Sequence, residues 1–222
     1  MHAEDTFSPA PLDLAITFIE HASLVIRYGN TVIHVDPVSQ YADYASLPKA
    51  DIVLITHEHS DHLDPEAILS VRTEATTVVV AAKCAGKVPG AVVLRGGDSR
   101  AVKGIRIEAV PAYNVLHLRA PGAPYHPKGD GNGYVLSLGS RKLYVAGDTE
   151  NTREMKGLKG IDIAFLPMNL PYTMTPEMVA DAALAFRPKV LYPYHFGDTD
   201  TGKLQALLAS AKDIEVRIRH MQ

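Results

Sequence analysis

The sequence predicts an α+β fold, with β-sheets packed inside and helices outside, on two observations. Short runs rich in Val, Ile and aromatic residues dominate the first half, and the few helical patterns carry capping residues and lie between such runs. Residues 14–19, 23–28 and 31–35 read as a meander, and Gly29-Asn30 between the last two is a two-residue hairpin signal. Strands are expected again at 51–56, 77–81, 91–94, 105–110, 134–138 and 143–146. A first helix begins near Asp64, a good N-cap, with Pro65 suited to the first helical position and Glu66 to its positive end. A second begins at Thr175-Pro176, places Val179, Ala182, Ala183 and Phe186 on one face, and stops at Arg187-Pro188. A last helix over 202–211 precedes a closing strand over 214–218. The loop 114–132 stands apart: it is punctuated by Gly and Pro, carries His117 and His126, and has the length of a functional loop.

The chain of 222 residues can bury one sizeable core, so a single domain over 1–222 is expected. A charged fraction of 21% against 46% hydrophobic residues is ordinary for a soluble globular protein. A net charge of −3 provides no polycationic surface for nucleic acid, which leaves a small-molecule substrate as the expected partner. Cys84 is the only cysteine and reads as a small buried residue, with no intramolecular disulfide available. Residues 1–11 lack the basic start and apolar segment of a signal peptide, and no run approaches the ~20 apolar residues of a membrane span. A cytoplasmic protein is expected; its oligomeric state is not legible.

The densest chemistry lies at Thr56 to His62, Thr-His-Glu-His-Ser-Asp-His, with three histidines and two acids in seven positions directly after the apolar run 52–55. Imidazole suits zinc and other first-row divalent ions, and carboxylate adds a harder oxygen ligand. His57 and His59 are two apart, so on an extended segment they point the same way. Asp148 and His195 have the same setting, each emerging just past an apolar run, and Gly147 lets the backbone approach closely before Asp148.

In these residues the chain resembles the metallo-β-lactamase fold superfamily of metal-dependent hydrolases. The matching pieces are Asp36 in His34-Val35-Asp36-Pro37, the run His57 to His62, Asp148 in Ala146-Gly147-Asp148-Thr149 and His195 in Tyr194-His195-Phe196-Gly197, in family order across nearly the whole chain. Glu20-His21-Ala22-Ser23, Leu166-Pro167 and Tyr172 to Pro176 look like a small bacterial and archaeal hydrolase group, itself similar to ascorbate-phosphate lactonases and N-acyl phosphatidylethanolamine phospholipase D. The resemblance implies a four-layer αββα sandwich with two divalent ions, zinc or manganese, at one edge of the sheets. It implies His57 and His59 on the first metal, Asp61, His62 and His195 on the second, Asp148 bridging, and Asp36 supporting the ligand loop. One position departs from the pattern: Asn114 stands where a third histidine of the first site is expected. His117 or His126 could fold back from the loop, or Asn114 oxygen or water could fill the place; the segment Tyr125 to Gly129 favours His126.

The implied chemistry is hydrolysis of an ester-type bond, phosphodiester or lactone, by a metal-bridged hydroxide. Two cations roughly 3.5–4 Å apart lower the pKa of a shared water towards ~7 and polarise the bond it attacks. Asp61 could orient that water, and His126 or an ordered water is the available general acid. Lys128, Tyr113 and Tyr172 are candidates for contacting substrate anions, and His21 either lines the site or sits hydrogen-bonded in the core. The alternative is a non-catalytic metal- or ligand-binding protein, which would be expected to have lost ligands. A diiron redox protein on this fold carries glutamate where His59 stands, and a drug-hydrolysing lactamase is usually secreted.

Overall fold

The structure is a computed structural model and describes residues 2–8 and 12–221. Two seven-stranded mixed sheets form its middle layers. The first runs in chain order through β1 (Ala3–Phe7), β2 (Leu14–Glu20), β3 (Ser23–Tyr28), β4 (Thr31–Val35), β5 (Ile52–Ile55), β6 (Thr77–Ala81) and β7 (Val92–Leu94). It is antiparallel as far as β4 and parallel from β4 to β7. Gly29 and Asn30 make the expected turn, closing the Tyr28↔Thr31 pair. The second sheet contains β8 (Ser99–Val102) and β9 (Ile105–Ala112). After the small hairpin of β10 (Leu118–Ala120) and β11 (Ala123–Pro124) come its other members, β12 (Gly131–Leu138), β13 (Arg141–Val145), β14 (Ile163–Pro167), β15 (Val190–Tyr194) and β16 (Glu215–Val216). Its spatial order is β16-β15-β14-β13-β12-β9-β8, parallel from β13 to β16.

Period-two alternation builds the layers. In β5, Ile52 and Leu54 join the main core between the sheets, while Val53 and Ile55 pack with Ala67, Ile68 and Val71 of helix α1 (Pro65–Val71). Because both faces of β5 are covered, all four residues are buried and the strand reads as a continuous apolar run. In the second sheet, Phe165 and Tyr192 stack on each other and meet Phe18 of the first sheet at ring distances of 6.1 and 5.1 Å. Tyr144, one residue out of phase, meets Phe186 of α3 (Pro176–Phe186) edge-on at 6.2 Å. With the single turn α2 (Arg153–Lys156) and α4 (Thr201–Leu207), α3 covers the outer face of that sheet, giving the αββα sandwich.

Several elements depart from expectation. Strand β1 has the polar sequence Ala-Glu-Asp-Thr-Phe and is mostly exposed, so no hydrophobic pattern marks it. Its anchor is non-local: the Asp5 carboxylate accepts from Arg217, Arg219 and the Tyr192 hydroxyl. Strand β14, central in its sheet, ends on Pro167, where proline argues against a central strand; here it falls at the last residue. Helix α4 and strand β16 are shorter than the expected 202–211 and 214–218. The N-caps are as expected: Asp64 accepts from the Glu66 and Ala67 amides, and Thr175 from Met178. Arg187 ends α3 in the left-handed region, and Cys84 is buried beneath α1, its thiol pushed up to about 12 by burial.

Gly133 of β12 tests how tightly the second sheet is packed. A Cβ there would stand 2.6 Å from the Ala146 carbonyl oxygen and 2.8 Å from that of Val145, whereas one at Gly86 would meet nothing within 4 Å. Overpacking of this kind costs about 1–3 kcal/mol. Gly133→Ala is expected to lower the melting temperature by several degrees and Gly86→Ala to leave it unchanged, as read by thermal denaturation.

Candidate metal centre

The predicted ligands come from separate strand ends and meet at one edge of the sandwich. Asp36 follows β4, the run Thr56 to His62 follows β5, Asp148 follows β13 and His195 follows β15, while His21 lies in the β2–β3 turn. Three overlapping groups have potential ligand atoms all within 4.8 Å of one another: His57, His59 and His126; His57, His62 and Asp148; and His21, Asp61, His62 and His195. His59 Nδ1 stands 3.1 Å from His57 Nε2 and 3.2 Å from His126 Nε2. The Asp148 carboxylate lies between the groups, 3.4 Å from Nε2 of His62, His126 and His195. Asp61 Oδ2 is 3.2 Å from His21 Nε2 and 3.7 Å from His195 Nε2.

The far side of each of three imidazoles is tied down. His62 Nδ1 donates to Asp36 Oδ2 at 2.8 Å, and His57 Nδ1 donates to Thr56 Oγ1, which in turn donates to Asp36 Oδ2 at 2.6 Å. His126 Nδ1 donates to Asn114 Oδ1 at 2.7 Å. These partners select the tautomer that leaves each Nε2 lone pair facing the cluster, as a metal-ligating histidine requires. The buried atoms His62 Nε2, Asp148 Oδ1 and both ring nitrogens of His195 have no hydrogen-bond partner among the described residues. Unsatisfied polar atoms in a buried site are costly, and a divalent cation at the cluster would satisfy His62 Nε2, Asp148 Oδ1 and His195 Nε2 together.

Electrostatics supports the same donor set. Burial holds the His57 imidazole well below its ordinary pKa and pushes His126 down to about 4, and it lowers His59 as well. These three rings are neutral donors at neutral pH. For His62 burial also pulls down, but the carboxylates of Asp148 and Asp36 outweigh it and raise the ring to about 9. Burial would raise the Asp148 carboxyl, yet the imidazoles of His195, His62, His57 and His126 hold it far below the usual range. A cation beside Asp148 would supply the positive charge that a proton on His62 otherwise provides, and its binding would be coupled to loss of that proton.

The backbone is also under constraint. His21, Asp36 and His195 have φ of 55, 42 and 47°, a conformation costing a non-glycine residue on the order of 1–3 kcal/mol. Each is held there by neighbours: the Asp36 carbonyl accepts from Ser23 Oγ at 2.5 Å, and the His195 amide donates to the His21 carbonyl at 2.9 Å. The Gly147 φ of 65° brings the chain so close to β12 that a Cβ would stand 2.9 Å from the Asn132 carbonyl.

The loop 114–132 carries the largest differences between sequence and structure. Asn114 is turned away from the cluster: its Oδ1 accepts from the His126 amide and ring, and its Nδ2 donates to Glu150 and the Tyr172 carbonyl. His126 thus has Nε2 in the cluster and Nδ1 on Asn114. His117 binds the buried Glu150 carboxylate, which also accepts the amides of residues 115–117. Lys128 Nζ pairs with Glu154 at 2.7 Å, Tyr113 OH donates to Glu154 at 2.9 Å, and neither lines a cleft at the site. Two clefts open over the cluster, of about 460 and 580 Å3, and share His59, Arg119, Tyr125, His126 and Asp148. Tyr172 and His21 line the second. Arg119 and Glu150 were missed from the sequence; the signal for Arg119 was its place in the loop already marked as functional.

A sandwich of this topology with histidines and aspartates gathered at its strand ends defines a metal-dependent hydrolase of metallo-β-lactamase fold. The family described as the beta-lactamase superfamily domain matches residues 15–195, and the chain belongs to it. A UPF0173 metal-dependent hydrolase of Pelotomaculum thermopropionicum is 28% identical over 92% of this chain and 96% of that one. One from Thermococcus onnurineus is 31% identical over 82% of this chain and 84% of its own length. The crystal structure of a provisionally assigned metal-dependent hydrolase from Parabacteroides distasonis is 49% identical over 100% of both chains, with a TM-score of 0.95. Among the described residues no helix is long and apolar enough to cross a membrane.

Loss of the ring that completes a donor set, or of its support, costs metal affinity, typically about 10–100-fold for the support. His126→Ala and Asn114→Ala are therefore expected to weaken divalent-ion binding at least 10-fold. His117→Ala, which leaves the backbone amides on Glu150, should change it less than threefold. Competition with a chelating indicator measures all three.

Proposed function

We propose that the chain is a single metallo-hydrolase domain over 1–222 that binds up to two divalent ions, zinc or manganese, and hydrolyses an ester-type bond, phosphodiester or lactone, of a small molecule. The observation that carries this reading is the convergence of buried, unpartnered donor atoms on Asp148 beneath two open clefts. His57, His59 and His126 would hold one ion and Asp61, His62 and His195 the other, with Asp148 shared and His21 beside Asp61. When bound, such ions lower the pKa of water towards ~7 and polarise the bond under attack.

The chain's own residues supply orientation. Asp61, half-exposed in the second cleft and braced by His21, would orient the attacking water by accepting a hydrogen bond from it. Burial and the anchored Nδ1 atoms keep His57 and His126 neutral and fixed in rotamer, which lowers the reorganisation needed at the moment of reaction. Both ring nitrogens of His126 are committed, so the departing oxygen takes its proton from solvent in the open clefts.

Elemental analysis of protein purified without chelator is expected to give well over half a transition-metal ion per chain; none after remetallation overturns the reading. His59→Ala and Asp61→Ala should lower turnover of any ester the parent hydrolyses by several orders of magnitude, with an unchanged circular-dichroism spectrum. Near-normal turnover in either variant would show that the cluster does not carry the reaction.

A further inference from the structure

Among the described residues Arg119 is the one Lys or Arg lining either cleft, and it lines both. It sits on β10, two residues beyond the segment whose amides are clamped by Glu150, so the base of its hairpin is fixed. Its Nη2 donates to the Tyr125 carbonyl at 2.8 Å, and its guanidinium lies over the Tyr125 ring at 5.6 Å. Among the described residues no carboxylate pairs with it, although Arg27, Arg187, Arg217 and Arg219 are each paired. Of the five N–H donors of a guanidinium, the Tyr125 carbonyl takes one, and the rest meet no acceptor among the described residues. A planar donor fork held in place by stacking loses little freedom on binding and matches carboxylate and phosphate oxygens in pairs.

We infer that Arg119 is the anion-binding residue of the clefts and that the substrate is an ester carrying a carboxylate or phosphate group beside the bond that is cleaved. This deepens the proposed hydrolase reading and rests on it. The location sets the recognition pattern: the anion lies against the wall formed by Arg119 and Tyr125, and the scissile bond lies over Asp148 and His59. Lys128, occupied by Glu154, has no part in it. Arg119 acts as a specificity-determining residue, since a neutral ester meets the same cluster without using the guanidinium.

Two measurements on the metal-loaded full chain test this. The first is calorimetric titration with phenyl phosphate and with benzoate. Arg119→Ala is expected to weaken binding of at least one of them 10-fold or more, with Arg119→Lys intermediate because it keeps charge and loses the fork. The ligand that is affected identifies the anion as phosphate or carboxylate; equal affinities of parent and Arg119→Ala for both overturn the inference. The second is the ratio of kcat/KM for the 4-nitrophenyl monoester of glutaric acid, and for the 4-nitrophenyl carboxylic ester of phosphonoacetic acid, to that for neutral 4-nitrophenyl acetate. Arg119→Ala should lower at least one ratio about 10-fold, whereas a parallel fall for all three esters would indicate collapse of the hairpin and overturn the inference. If the parent cleaves none of the esters, open-chain carboxylic esters are excluded as substrates and the binding titrations still decide the role of Arg119.

Discussion

The carboxylate of Asp36 is the contact on which the metal centre's geometry depends. It accepts the Thr56 amide, the Thr56 hydroxyl and the His62 ring, so one buried anion joins the end of β4 to the end of β5 and orients two imidazoles at once. The constraint is severe because Asp36 is completely buried and its backbone is in the left-handed region. A charge in that position is tolerated because its acceptor sites are filled by donors that the parallel β4–β5 pairing puts in register. Remove the pairing and the anion is stranded; remove the anion and the rings of His57 and His62 lose the bonds that select their tautomers.

Glu150 plays the corresponding part on the other wall. Its carboxylate accepts three consecutive amides, the His117 ring and the Asn114 amide nitrogen, turning a loop that would otherwise expose its backbone into a fixed arm. Asn114 passes that order on to His126, and the hairpin beyond passes it to Arg119. The two walls therefore differ in kind. The Asp36 side is built of strand ends within the core, and the Glu150 side of a loop folded around one buried acid.

Much of this was legible in the sequence, and the limits have physical causes. Strands β2 to β6 announce themselves because both of their faces are covered or alternate cleanly, and His57 to His62 because so many donor side chains at one strand end have no structural use. Strand β1 left no trace, since its sequence is polar and its hold on the fold comes from arginines more than 200 positions away. At Asn114 the sequence showed that a ligand was missing; its role of carrying His126 depends on a hydrogen bond across the loop. Lys128 was a natural candidate for anion binding from its nearness in sequence to His126, but the turn at Gly129 sends it outward to Glu154. Arg119, further off in sequence, is brought round by the β10–β11 hairpin.

The bonds of Asp5 to Arg217, Arg219 and Tyr192 have a consequence for the order in which the chain can be completed during synthesis. A ribosome releases β1 and its partner β2 early, but the partners of the Asp5 carboxylate emerge only with the last strands of the second sheet. Until then the edge of the first sheet carries an unpaired acid, which discourages another strand from adding there. When residues 217–219 arrive, the same acid becomes the latch that joins the two sheets, so one side chain serves first as a guard against misassembly and then as the seal on the finished sandwich.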